Sequence, residues 1–174
     1  GDPCWSFGQS PKTAWEAASH ESGHTFGLSH DGTSSKEYYF GQGNWAPIMG
    51  SGTTRFIVQW SKGEYLDANN KEDDLARISN TANGVGYRTD DHGNDPPNAT
   101  LLVADAAGSV KAADNFGVIE KRTDKDVFKF TTTGGIVILS IVAKTNPGGG
   151  ADVPDLDIQA RLLDAGGVEI KKVD

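Results

Sequence analysis

"HESGHTFGLSHDG", residues 20–32, contains three of the four histidines of this 174-residue chain. His20 and His24 are four positions apart, and residues at this spacing lie on one face of a helix, one turn above the other. Two imidazoles placed in this way can bind one metal ion from the same side. Glu21, next to the first histidine, can reach a metal-bound water without being a ligand itself. The segment therefore predicts a helix that carries a metal site.

The third histidine needs a different device. If the helix continued straight, His30 would lie about 15 Å along the axis from His20, which is too far to share one ion. Gly27 resolves this, because glycine readily adopts the left-handed conformation that ends helices. A helix that ends there can turn and bring His30 back. We predict that His20, His24 and His30 bind one Zn²⁺, with a coordination position open for water and Glu21 as the adjacent base.

The same residues resemble a known signature. The pattern H-E-x-x-H-x-x-G-x-x-H is that of the metzincin zinc proteases, and Asp31 after the third histidine is similar to the reprolysin (adamalysin) branch. A bare His-Glu-x-x-His occurs by chance, but the fixed glycine and third histidine favour the metal site. The resemblance implies a methionine turn beneath the metal, and Met49 in "APIMGSG" follows in that order. Astacins and serralysins carry a tyrosine two residues after this methionine. Ser51 stands there, so we expect no tyrosine ligand.

The resemblance implies peptide hydrolysis. Three neutral imidazoles leave the ion its full positive charge, which lowers the pKa of its bound water towards about 7. Glu21 would accept a proton as this water attacks a peptide carbonyl and would pass it to the leaving amine. The expected function is that of a zinc-dependent endopeptidase with protein or peptide substrates. Family resemblance also implies a secreted or extracellular location and a bacterial source.

Composition excludes other classes. The net charge is −8 and the pI is about 4.9, and without a basic stripe there is no electrostatic footprint for nucleic acid. No apolar run reaches the length of a membrane span, and no signal peptide opens the chain. Cys4, the single cysteine, excludes an internal disulfide framework. It is either a free thiol or the partner of a residue outside the chain. The oligomeric state is not indicated.

Helix signals occur in two places. Ser10 is a good N-cap and Pro11 suits the first helical position, so the active-site helix is predicted to begin there. Residues 59–80 predict one helix or two short ones, with Ser61 and Glu64 as a capping box. We expect the acidic cluster within this range to lie in solvent at a helix N-terminus. A calcium site is an unsupported alternative. This cluster consists of Glu72, Asp73 and Asp74.

The loop after the signature is rich in aromatic side chains. We expect them to pack the lower lobe of the metzincin-like domain, and they are Tyr38, Tyr39, Phe40 and Trp45. The family likeness also places the segment around Met49 near the wall of the S1′ pocket. His92, in the Gly/Asn/Asp/Pro-rich stretch that follows residue 84, is expected to be exposed.

From about residue 100 the hydrophobic period changes to two. "DVFKFT", "GGIVILSIVA", "LDIQARLLD" and "VEI" read as strands separated by Gly-rich and Asp-rich turns, which predicts an antiparallel β-sandwich. Its inward residues are expected to be Phe128, Phe130, Ile158 and Leu162. Residues 90–174 resemble the bacterial pre-peptidase C-terminal domain, a small β-sandwich found beside secreted proteases.

The predicted fold class is α+β. A mainly helical lower lobe of a metzincin-like catalytic domain (1–84) is followed by a linker (85–99) and a β-sandwich (100–174) that can be incomplete. Metzincins carry an upper lobe before the signature, and only nineteen residues precede His20, so we expect the chain to be a fragment. A second function therefore stays open. The chain would be a non-catalytic binding module whose sandwich engages substrate or matrix and whose zinc site is inert without the missing lobe.

Overall fold

The computed structural model describes residues 5, 7–8, 10–145 and 153–174. Its contacts divide the chain into two units. The first comprises the described residues up to Gly86 together with those of Val142–Ile158, and the second comprises Tyr87–Ile141 and Gln159–Asp174. Helices and strands are both present, so the predicted α+β class is confirmed. The predicted domain ranges stay predictions, and the interpretations of Cys4 lie outside the described residues.

The first unit begins with helix α1 (Pro11–Thr25), at the position that Ser10 and Pro11 predict. The Ser10 hydroxyl accepts a hydrogen bond from Thr13 N at 3.2 Å, and the Thr13 hydroxyl accepts one from Ser10 N at 3.0 Å. These reciprocal bonds satisfy N–H groups that have no partner within the first helical turn. Local sequence therefore fixes the start of α1, and with it the face on which His20 and His24 lie.

The end of α1 also follows the sequence. Gly27 has a φ of +84°. Gly27 N donates to His24 O at 2.9 Å, and Leu28 N donates to Gly23 O at 3.1 Å, which are the paired bonds of a Schellman motif. The prediction that the helix ends at Gly27 is confirmed, and the buried side chain of Leu28 anchors the turn.

A short parallel sheet flanks the turn that contacts α1. Strand β1 (Trp45–Pro47) pairs with β2 (Ile57–Gln59), with Ala46 opposite Val58. Met49 follows β1 in a turn and is completely buried. A side-chain carbon added at Gly23 would lie 2.5 Å from Met49 Sδ. The methionine that the resemblance singles out is therefore packed directly against the helix of the histidines.

The helix predicted over residues 59–80 is mostly wrong. Only α2 (Asp74–Ile78) forms there, with Asp73 as its N-cap. Gly63 and Asp67 have φ values of +67° and +62°, which a right-handed helix cannot contain. The chain instead winds irregularly until α2 begins.

The predicted capping box of Ser61 and Glu64 is wrong as well. Ser61 is buried, and its hydroxyl donates to Asp31 Oδ2 at 2.7 Å. The acidic cluster does lie at the start of α2, but Asp74 is fully buried rather than in solvent. Ser61 N donates to Asp74 Oδ2 at 2.9 Å, and Asp74 N donates to Ser61 O at 3.0 Å. Ser61 thus ties α2 to the residue that follows His30.

Two separate two-stranded sheets lie among the described residues of the second unit. Strand β3 (Thr100–Leu101) pairs with β4 (Phe128–Lys129) in parallel, and β5 (Ala160–Leu163) pairs with β6 (Glu169–Val173) antiparallel. The second pair confirms the antiparallel strands expected there. The β3–β4 pair contradicts that expectation, because its strands are parallel. The long connection between them makes a parallel pairing possible.

The strand predicted in "GGIVILSIVA" does not form, and residues 136–143 have no regular secondary structure. Apolar side chains fill successive positions here, so a strand would need apolar cover on both of its faces. That cover is absent from the described residues. Four of these side chains are more than half exposed, namely Ile136, Ile138, Ile141 and Val142.

The predicted inward face of the second half is confirmed only in part. Phe128, Ile158 and Leu162 are half-buried, whereas Phe130 is exposed. Since the described strands form isolated pairs, they do not build the two facing sheets of a β-sandwich.

Candidate metal centre

The structure brings His20, His24 and His30 together. A ring nitrogen of each histidine lies within 4.8 Å of a ring nitrogen of each of the other two. The ring centroids of His20 and His24 are 4.9 Å apart, and that of His30 lies 5.3 Å and 4.8 Å from them, respectively. Helix α1 supplies the first two rings, and the turn at Gly27 returns the third. The assigned roles of these residues stay predictions, but their convergence is what a shared ion requires.

Each of the three imidazoles uses its Nδ1 atom for a protein contact. The acceptors are Ile48 O at 2.8 Å for His20, Leu28 O at 2.9 Å for His24 and Glu37 Oε1 at 2.9 Å for His30. Carbonyl and carboxylate oxygens only accept hydrogen bonds, so Nδ1 carries the proton in each ring. In the neutral rings Nε2 is left with a free lone pair, as in metal-binding histidines.

This donor set fits a zinc ion. The Nε2 atoms of His24 and His30 are 3.1 Å apart. With both protons on Nδ1, neither Nε2 can donate, and two lone pairs face each other. Nitrogens about 2.0–2.1 Å from a tetrahedral Zn²⁺ lie about 3.3 Å from one another, which is close to the observed separation. A cation at this point would remove the repulsion between the lone pairs.

Burial favours the neutral form of His20. Burial lowers the pKa of His20 below its ordinary value of 6.5, although the hydrogen bond to Ile48 O acts in the opposite direction. A neutral imidazole is the form that binds metals. The predicted base, Glu21, is half-buried beside this ring. Its carboxylate makes no hydrogen bond within the part of the chain that the structure describes, so it is available for a substrate or a water.

A loop segment absent from the sequence-based site surrounds the third histidine. Glu37 Oε1 accepts a hydrogen bond from His30 Nδ1. The centroid of the Tyr38 ring lies 4.3 Å from that of His30. Tyr39 N donates to Asp31 O at 2.7 Å. Sequence reasoning missed Glu37 and treated Tyr38 only as packing. No spacing rule connects a loop residue to a histidine seven positions earlier, so the sequence carried no signal for this contact.

The packing expected of the neighbouring aromatics holds for some of them. Tyr39 stacks on Tyr65 with a centroid distance of 4.0 Å and an interplanar angle of 2°. The Trp45 ring lies 6.2 Å from Tyr65. Phe40 is more than half exposed and does not join this group.

Two buried carboxyl groups are linked through Ser61, and one of them directly follows His30. Asp31 and Asp74 are 1% and 0% exposed, and Ser61 donates a hydrogen bond to each of them. One oxygen of each carboxyl, Oδ1, has no hydrogen-bond partner among the described residues. Burial raises the pKa of Asp31, and burial together with the nearby negative charges raises that of Asp74 to about 7. The polar support of the site is therefore sensitive to pH.

The second unit contains acidic groups that the sequence did not single out. Oxygens of Asp90, Glu120 and Asp124 lie within 4.8 Å of one another, as do those of Asp90, Asp91 and Asp126. These carboxyl groups are exposed or half-buried, and such clusters are common without an ion.

His92, expected to be exposed, is half-buried. Its ring nitrogens are hydrogen-bonded to Thr100 Oγ1 at 2.9 Å and to Phe116 O at 2.8 Å.

Comparison with protein families places the signature in a peptidase context. Residues 5–61, which span α1, the three histidines, Met49 and β2, match the family Reprolysin_5, described as metallo-peptidase family M12. The match covers less than half of the chain and supports a metzincin-like metallopeptidase at the level of the family. No curated protein and no solved structure matched the chain. Among the described residues, no helix has the length and apolarity needed to cross a membrane.

Proposed function

We propose that this protein is a zinc-dependent endopeptidase. The observation that carries the proposal is the set of three Nδ1 contacts, which leaves the Nε2 atoms of His20, His24 and His30 free for one ion. The family match over residues 5–61 supports the same reading. The substrates are proteins or peptides, and the proposed location is secreted or extracellular.

The residues divide the work between binding and proton transfer. His20, His24 and His30 hold the ion through Nε2, while their Nδ1 contacts fix the ring orientations. When bound, Zn²⁺ supplies Lewis acidity that polarises the peptide carbonyl and acidifies the attacking water. Glu21 takes the proton of that water and passes it to the leaving amine. Among the described residues, none makes a hydrogen bond to the Glu21 carboxylate, which supports this role.

The first test concerns the ligands. The purified chain should bind one Zn²⁺, and His24→Ala should lose it, because two imidazoles remain where three are needed. His92→Ala is the matched control, since this histidine binds Thr100 and Phe116 instead. Metal content after dialysis measures the result. Unchanged stoichiometry in His24→Ala would refute the assignment.

The second test separates a peptidase from an inert metal site. Glu21→Gln keeps the size of the side chain but cannot take a proton, so zinc should be retained and peptide cleavage should fall about 10²–10⁴-fold. Cleavage at the parent rate would show that Glu21 is not the base. Loss of zinc in this variant would make Glu21 a support of the site. Zinc binding without cleavage by the parent would favour the non-catalytic binding module.

A further inference from the structure

We propose that Tyr38 is a further catalytic residue, whose hydroxyl donates a hydrogen bond to the carbonyl oxygen of the scissile peptide as negative charge develops there. The inference rests on the proposed peptidase function and adds a residue to it. No step of the mechanism above uses Tyr38, and neither the signature nor the methionine turn includes it.

Position is the first argument. The Tyr38 ring lies with its centroid 4.3 Å from that of His30 and 6.2 Å from that of His20. The Tyr38 ring therefore lies close to two of the three histidines, nearer to His30 than to His20. A side chain that only filled the core would be expected to be fully buried, but Tyr38 is only half-buried.

Attachment of the loop is the second argument. The residues on both sides of Tyr38 are tied to the segment of the third histidine: Glu37 Oε1 accepts from His30 Nδ1 at 2.9 Å, and Tyr39 N donates to Asp31 O at 2.7 Å. Tyr39 O also accepts from Ser51 N at 2.9 Å, just after Met49. These bonds hold the backbone of Tyr38 in place before any substrate arrives, which is the preorganisation that an oxyanion donor requires.

The hydroxyl itself is the third argument. Within the described residues it has no hydrogen-bond partner, although tyrosine hydroxyls in partly buried positions usually find one. A tyrosine hydroxyl carries its proton at neutral pH, so it can donate a hydrogen bond to a substrate.

The test compares Tyr38→Phe with Tyr39→Phe. The control removes a hydroxyl whose ring stacks on Tyr65 and which donates to Gln42 Oε1 at 3.3 Å. Both variants should bind one Zn²⁺ with the parent's affinity, and their Co²⁺ forms should keep the parent's visible spectrum. In Tyr38→Phe, kcat should fall about 10²-fold with little change in KM, as for loss of one oxyanion donor. Tyr39→Phe should match the parent.

A binding experiment gives a readout independent of turnover. A phosphinic peptide, which carries a tetrahedral anion at the scissile position, should bind Tyr38→Phe about 10²-fold more weakly than it binds the parent. The product peptide should bind both equally. Unchanged kcat and phosphinate affinity in Tyr38→Phe overturn the inference. If Tyr38→Phe is silent while Tyr38→Ala loses zinc, the ring only positions His30, and the hydroxyl role is also overturned. A parent that binds zinc but neither the phosphinate nor a substrate refutes the peptidase function itself, a result distinguishable from failure of the variant alone.

Discussion

Replacing Asp74 with asparagine should make the protein markedly more stable at neutral and alkaline pH, relative to the parent. Asp74 is fully buried, and its pKa is raised from 3.8 to about 7. The folded state therefore holds a proton that the unfolded state releases. Between pH 4 and pH 7 the parent must lose stability as the pH rises, because a raised carboxyl pKa favours folding only while the proton is bound.

The magnitude follows from the shift. Each pKa unit corresponds to about 1.4 kcal/mol, so a rise from 3.8 to about 7 makes the ionised Asp74 cost about 4 kcal/mol of folding free energy above pH 7. Asparagine has no proton to lose, and its carbonyl oxygen can still accept the bond from Ser61 N. The difference in unfolding free energy between Asp74→Asn and the parent should thus grow in favour of the variant from pH 4 to pH 8.

Urea unfolding at a series of pH values, followed by tryptophan fluorescence, measures this difference. Asp73→Asn is the matched control, since asparagine is also a good N-cap. Its charge is the smallest of the causes that raise the pKa of Asp74, so its profile should stay close to that of the parent. A pH-independent difference between Asp74→Asn and the parent would show that Asp74 is ionised in the folded state and would refute the reasoning.

Two further substitutions test the surroundings of the site. Gly23→Ala should destabilise the protein by about 1–3 kcal/mol, because the new Cβ would lie 2.5 Å from the buried Met49 Sδ and 3.1 Å from Trp60 Cζ3; thermal unfolding measures this. Gly86→Ala, where nothing lies within 4 Å, should be neutral or slightly stabilising, and equal effects of the two substitutions would contradict the packing argument. Glu37→Ala should weaken zinc binding about 10-fold, at the lower end for such supporting contacts because Glu37 is exposed. Competition with a chelator measures this affinity, and the parent's affinity in the variant would show that the contact with His30 is incidental.

Local sequence predicted the parts of this molecule that are built from local contacts. Ser10, Pro11 and Gly27 determine where α1 begins and ends within a few residues of themselves, so the convergence of the histidines could be predicted from spacing. The part around Ser61 could not. Its hydroxyl binds Asp31, thirty positions earlier, and that contact overrides the capping box that the nearby sequence suggests. The run at 136–143 fails for the converse reason: β-branched residues favour a strand, but a strand needs partners that no local pattern supplies.

The Nδ1 contacts of the histidines have a consequence for how this site can change over time. His20 and His24 donate hydrogen bonds to the backbone carbonyls of Ile48 and Leu28, respectively. Every amino acid at those two positions would provide the same carbonyl. Substitutions there can alter packing without deleting either contact. His30 donates its hydrogen bond instead to the side chain of Glu37, which is largely exposed and therefore little constrained by packing. A single codon change can remove or weaken this one contact while leaving the fold intact. Natural variation in the metal affinity of such a site should therefore accumulate at position 37 before it reaches the histidines themselves.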